Sequence, residues 1–307
     1  ESYLVPHAIQ SLLTSLEFQH RVFGFDTNDK IIVLLADFSD SADAGASVTP
    51  RNRLAVQIAP LGYAFETIAA NDRIILIMNH ELVHVATMGQ PAGADRFWRG
   101  LFGGKVSVVK EQPETAIYSL LTAPRTYAPR WFHEGAAVFT DTWMNGGIGR
   151  AQGGWDEMVF RAMVRDNAPF HDPLALVSEG TKIDFQLQIN SYLYGARFMT
   201  WVADRYSPEK LVEWVSRKPG SKGYYASQFQ QVFGRTIDSA WAEWVTFEKS
   251  FQQKNLEAIR KFPVTPYKDV TPRALGSVSR AYVDQAAGKI YAAFKFFKIP
   301  VNKWTVP

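Results

Sequence analysis

Cysteine is absent from the 307 residues, which removes disulfides, thiolate metal ligands and cysteine nucleophiles from the available chemistry. Long apolar runs are missing too. "KIIVLLADF" and "DRIILIMNHELVHV" are too short or too interrupted to be membrane-spanning helices. No charge sign dominates: 33 Lys and Arg stand against 30 Asp and Glu, a formal net charge of +3, with the basic residues dispersed among acidic ones. Neither nucleic acid nor an anionic membrane is indicated as a partner by that pattern. There is no repeat of solenoid length. The sequence starts at Glu1 with neither an initiator Met nor a signal peptide, as a processed product would.

What is present is an ordinary globular balance, 47% hydrophobic and 21% charged, enough for one large core or two moderate ones. "HAIQSLLTSLEFQHRVFGF" has helical spacing and stops near Gly24. "KIIVLLADF" reads as a buried strand, "SDSADAGASVTPRN" as a polar loop and "LAVQIAP" as a second strand. From "RIILIMNHELVHVATM" onward the character is helical, with Asn71 or Asp72 as N-cap and Gly89 and Pro91 as stop signals. "GADRFWRGLFGGK" reads as a loop. Further helices are expected in "PETAIYSLLTA", "PRWFHEGAAVFTDTWM", "WDEMVFRAMVRDN", "SYLYGARFMTWVADRY", "SPEKLVEWVSRK" and "TIDSAWAEWVTFEKSFQQKNLEAIRKF". The order predicts an α+β protein. Residues 1–262 form its main domain, with an α/β lobe over 1–90 and a helical lobe over 91–262. Residues 263–307 form a Pro-punctuated linker and a β-rich tail, strand–turn–strand around Ala287-Gly288.

The chemistry concentrates in His80-Glu81-Leu82-Val83-His84. On a helix, residues four apart lie nearly above one another, so both imidazoles can face one metal ion while Glu81 is turned about 100° towards the open position. A chain with six histidines would contain HExxH by chance in roughly one case in a hundred, so a zinc site is the expectation. A catalytic zinc takes three protein ligands, and the candidates for the third are His7, His20, His133, His171 and the carboxylates. Glu134 heads a face with Ala137, Val138 and Asp141, whose small residues let a second helix come close. Its neighbour His133 competes, but adjacent helical side chains diverge too far for both to bind one ion. The tryptophans at 201, 214, 241 and 244 fall at helical spacing and read as core.

HExxH followed by Trp131-Phe132-His133-Glu134-Gly135-Ala136-Ala137 resembles the gluzincin zinc metallopeptidases, in the group whose second motif reads W-x-x-E-G-x-A. "SYLYGARFMTWVADRYSPEKLVEW" is similar to a third pattern of that group, and the resemblance spans roughly residues 7 to 250. It implies a thermolysin-like fold, Zn²⁺ on His80, His84 and Glu134, and peptide hydrolysis with Glu81 as general base. It also implies an oxyanion donor in Tyr192 or Tyr194, with Tyr192 at the better-matching position. Val138 stands where thermolysin-like members carry an acidic residue that orients a histidine, which leaves that part to Asp141, one turn on, or to a residue elsewhere in the chain. A peptide or protein substrate is expected along a strand edge near the zinc helix, here "LAVQIAP", and "ADRFWRGLFGG" is either a lid or a hydrophobic surface patch. The tail resembles the opening strands of a β-propeller, an appended domain of envelope and secreted peptidases. That implies an exported bacterial protein, periplasmic, envelope-bound or secreted, that continues past the tail. Two other classes fit the same residues: a catalytically silent module that keeps the fold as a scaffold, and a zinc hydrolase of a non-peptide amide.

Overall fold

The computed structural model describes residues 2–26, 29–36, 43–58, 72–177, 189–263, 266, 277–295 and 304–305. Helix α1 (Val5–Phe23) ends at Gly24, whose left-handed backbone (φ 61°) lets its N–H bond back to the Gln19 carbonyl. Three strands follow, β1 (Ile31–Ala36), β2 (Ala44–Ser47) and β3 (Asn52–Gln57), in the order β1-β3-β2. β1 runs parallel to β3, from Ile31 opposite Asn52 to Ala36 opposite Gln57. β2 runs antiparallel to it, from Ala44 opposite Val56 to Ser47 opposite Arg53.

The sheet corrects three sequence expectations. β2 lies inside the stretch read as a loop, because "AGAS" has no β-branched or aromatic side chain to announce a strand. β3, the strand of "LAVQIAP", is central and not an edge; it buries Asn52, Leu54 and Val56 on one face. The edge facing the HExxH residues belongs to β2. β1 is not buried on both faces either, since Ile32 and Leu34 are about two-fifths exposed, as an edge strand allows.

Helix α2 (Arg73–Gly89) carries the HExxH residues and starts at Asp72, whose carboxylate accepts the Ile75 N–H. It packs on α1 and on α5 (Arg130–Met144). Between them are α3 (Gly93–Phe102) and α4 (Thr115–Thr122). α3 occupies the segment expected to be a loop. Asp95 accepts the Ala92 N–H at 3.0 Å and takes a two-pronged ion pair from the distant Arg217 at 2.7 Å. Arg99 donates to the carbonyls of Gly89 and Thr122. These tertiary ties hold a helix that its glycines disfavour. They fix α3 to the body, and Phe97 and Leu101 stand out from it as an apolar surface.

The remaining helices are α6 (Gly154–Arg165), α7 (Asn190–Arg205), α8 (Pro208–Val215), α9 (Tyr225–Phe233) and α10 (Ile237–Ile259). All but α9 were expected. Their shared interior is aromatic: Trp131, Phe132, Phe198, Trp214, Phe229, Trp241 and Trp244 are buried together, with Phe198 4.6 Å from Trp241 and Phe132 5.2 Å from Trp214 between ring centroids. Trp201 joins them, so all four tryptophans read as core are core.

α5 and α7 cross at a seam of two glycines. A Cβ on Gly135 would lie 2.5 Å from the Gly195 carbonyl carbon, and one on Gly195 would overlap the Trp131 carbonyl oxygen. Only glycine fits there. In the tail, β4 (Ser277–Asp284) and β5 (Lys289–Lys295) form the expected hairpin, and β6 (Trp304–Thr305) pairs with β5. The architecture is α+β, mostly helical with small sheets. No helix among the described residues is long and apolar enough to cross a membrane.

Candidate metal centre

α2, α5, α7 and β2 enclose a cleft of about 360 Å³. From α2 it receives His80, Glu81 and His84; from α5, Arg130, His133 and Glu134; from α7, Tyr192; from β2, Ala44, Gly45 and Ala46. The helical pitch puts His80 and His84 one turn apart on one side, with ring centroids 4.9 Å apart. Glu134 meets both from the facing helix. Its Oε2 is 3.2 Å from His80 Nε2 and 3.5 Å from His84 Nε2. Each of the three offers a ligand atom, and all of these lie within 4.8 Å of one another.

The two distances from Glu134 suit a tetrahedral ion. Two atoms each bonded at 2.0–2.1 Å in tetrahedral geometry lie about 3.3 Å apart. His80 turns its Nε2 towards Glu134 because Nδ1 is tied to Asp141 Oδ2 at 3.0 Å, the support that a ligating imidazole ordinarily has. Asp141 thus occupies the place left by Val138, one helical turn further along α5. Among the described residues no other His, Asp or Glu group gathers this way.

The electrostatics follow from burial and pairing. Burial alone would lower the His80 pKa, but Asp141 and Glu134 outweigh it and hold the imidazole well above its usual value. Burial would raise Glu134, and the two imidazoles overturn that, keeping it well below the ordinary carboxylate range. Glu81 is pushed up, chiefly by burial, and its Oε2 has no hydrogen-bond partner. It is 5% exposed, a costly place for a carboxylate without a task. Burial brings His133 down to about 3, so it stays neutral in the cleft wall, outside the three-ligand group. The other histidines are engaged elsewhere: His7 with Asp72 at 3.1 Å, His20 with the Phe25 carbonyl at 3.2 Å, and His171 through its backbone with Tyr194 and Trp241.

The two tyrosines part company. Tyr192 lines the cleft, its ring 6.3 Å from that of His80, and Arg130 Nη2 donates to its oxygen at 3.4 Å. Burial, with the charge of Glu134, raises its pKa, so the phenol stays protonated. Tyr194 lies two positions on, about 200° around the helix, and is buried in the aromatic core instead. Its hydroxyl accepts the His171 N–H at 3.3 Å and its ring stacks on Trp241. That placement gives Tyr194 a packing role, away from the cleft that Tyr192 lines.

Sequence reasoning missed Arg130. Its Nε donates to Glu134 Oε1 at 3.2 Å, fixing the oxygen that does not face the imidazoles. The i,i+4 spacing from Arg130 to Glu134 was the available signal. It missed β2 as well, whose Gly45 faces open space. No family model, curated protein or solved structure matches the chain.

Proposed function

We propose that the protein is a zinc-dependent peptidase of gluzincin type, holding the metal on His80, His84 and Glu134. The observation that carries this reading is the approach of Glu134 Oε2 to His80 Nε2 and His84 Nε2 at 3.2 and 3.5 Å, with one ligand atom of each residue within 4.8 Å of the others, beside Glu81, a buried carboxylate with an unpartnered oxygen. A purely structural zinc site has no use for that carboxylate. When bound, zinc supplies a Lewis acid that polarises a carbonyl and acidifies water.

The chain's own residues do the rest. Glu81, with its pKa raised by burial, accepts the proton of the attacking water and passes it to the departing amine. Tyr192 donates its hydroxyl hydrogen to the oxyanion that develops on the former carbonyl. Arg130 steadies both Tyr192 and Glu134. Asp141 keeps His80 in the tautomer that leaves Nε2 free. An extended peptide lies along β2, where Ala44, Gly45 and Ala46 leave room beside the cleft and main-chain bonds to the strand's outer edge hold it.

The test is zinc content and casein hydrolysis for the wild type and Glu81→Gln. One zinc per chain is expected in both, with hydrolysis by the variant reduced about 10²–10⁴-fold. Equal hydrolysis, or a chain that takes up no zinc, would overturn the proposal.

A further inference from the structure

A second cleft, of about 800 Å³, opens at the C-terminal end of α2. Cations reach it from separate stretches of chain: Lys30 before β1, Arg51 before β3, Arg96 and Arg99 on α3, and Lys105 beyond α3. Against these five stand two carboxylates, Asp26 and Asp29, a surplus of three positive charges. Two of the cations have structural duties. Lys105 is buried on Asn52 Oδ1 at 2.5 Å and Asp29 at 3.2 Å, and Arg99 binds the Gly89 and Thr122 carbonyls. The side chains of Lys30, Arg51 and Arg96 make no hydrogen bond or ion pair among the described residues.

The wall also holds two buried polar atoms without partners, the donor Arg99 Nη2 and the acceptor Gln90 Oε1. The Gln90 amide cannot simply be reversed, because its Nε2 donates to the Gly24 carbonyl at 3.0 Å. Burial lowers the pKa of both Arg99 and Lys105, and the carboxylates of Asp95 and Asp29 offset only part of it. Crowded like charges cost stability, and a bound anion relieves them. A lone carboxylate brings one charge. A phosphoryl group brings up to two charges and three oxygens, the acceptor set that several converging guanidinium and ammonium groups fit.

We propose that this cleft binds a phosphoryl group, carried either by a small soluble molecule or by a lipid headgroup. Arg51, Arg96 and Lys30 would take the phosphoryl oxygens. The lipid source gains a contact from α3. Phe97 and Leu101, 65% and 63% exposed and one turn apart, stand beside Arg96, where apolar side chains can enter a headgroup layer. The contributing cations are spread from position 30 to 105, so no run of basic residues marks the site in the sequence. The site shares no lining residue with the metal cleft and stands independently of the peptidase reading.

The experiment uses the full chain with two probes, inorganic pyrophosphate in calorimetry and phosphatidylglycerol against phosphatidylcholine vesicles in co-sedimentation. Arg51→Ser/Arg96→Ser removes exposed cations, and an unchanged unfolding midpoint checks that the variant folds. Salt-sensitive binding of one or both anionic probes, weakened about tenfold or more in that variant, is expected. Pyrophosphate binding without vesicle binding assigns a soluble ligand. Vesicle binding that also falls in Phe97→Ser/Leu101→Ser assigns a headgroup. Binding of neither probe, or equal binding by the wild type and the Arg51→Ser/Arg96→Ser variant, would overturn the proposal.

Discussion

The cleft of His80, His84 and Glu134 and the aromatic core are two sides of the same helices, α5 and α7. In the core, polar tips are mostly answered: Trp214 Nε1 donates to the Tyr225 carbonyl, Trp241 Nε1 to that of His171, and the Tyr194 hydroxyl meets His171. Only the indole N–H groups of Trp131 and Trp244 go unpaired among those rings. The cleft leaves far more demanding atoms unanswered, Glu81 Oε2, Asp141 Oδ1 and His84 Nδ1. A buried carboxylate oxygen without a partner costs more than an indole N–H. The contrast shows where the fold bears a cost, and it bears it where a cation and a substrate would meet the chain.

That contrast can be broken at the seam joining the two regions. Gly195→Ala drives a methyl group into the Trp131 carbonyl and is expected to cost more than about 3 kcal/mol in urea unfolding. It should also weaken zinc binding, because α5 carries Glu134. A loss of stability with undiminished zinc affinity would mean that the core and the cleft are separable. The contrast is sharpened by the tyrosine pair. Tyr192→Phe should lower kcat about 10²–10³-fold with stability nearly unchanged, whereas Tyr194→Phe should cost about 1 kcal/mol of stability and leave kcat alone. Steady-state kinetics with urea titrations read both, and the reverse pattern would exchange the assigned roles. An effect smaller than that of Tyr192→Phe is expected at Asp141. Asp141→Asn keeps the shape and removes the charge on His80, and should weaken zinc about 10–100-fold in competition with a chelator.

Much of the site was legible because its logic is local. HExxH sits on a helix that Asp72 caps, and a period of 3.6 carries His80 and His84 to one face. Asp141 was one of two openings for the support of a histidine, and its bond to His80 is what chooses it. Glu134 itself was separable from His133 only through the resemblance, since one sequence does not say which of two adjacent residues faces another helix. What was hidden depends on contacts remote in the chain. α3 is held by an ion pair between Asp95 and Arg217, 122 positions apart, and its glycines advertise a loop. β2 is four small residues that become a strand only by pairing with β3. The exposed face of β1 could not be foreseen, because a continuous apolar run reads the same for an edge strand and a covered one.

The glycine seam has a consequence for motion. Glu134 directly precedes Gly135 and Tyr192 lies one turn before Gly195, so two backbones in contact fix the spacing of a carboxylate and a hydroxyl from different helices. A fluctuation that widens the cleft cannot pull α5 from α7 without opening that contact. It must swing them as a single lever against α2, so the carboxylate and the phenol approach or leave the imidazoles in step.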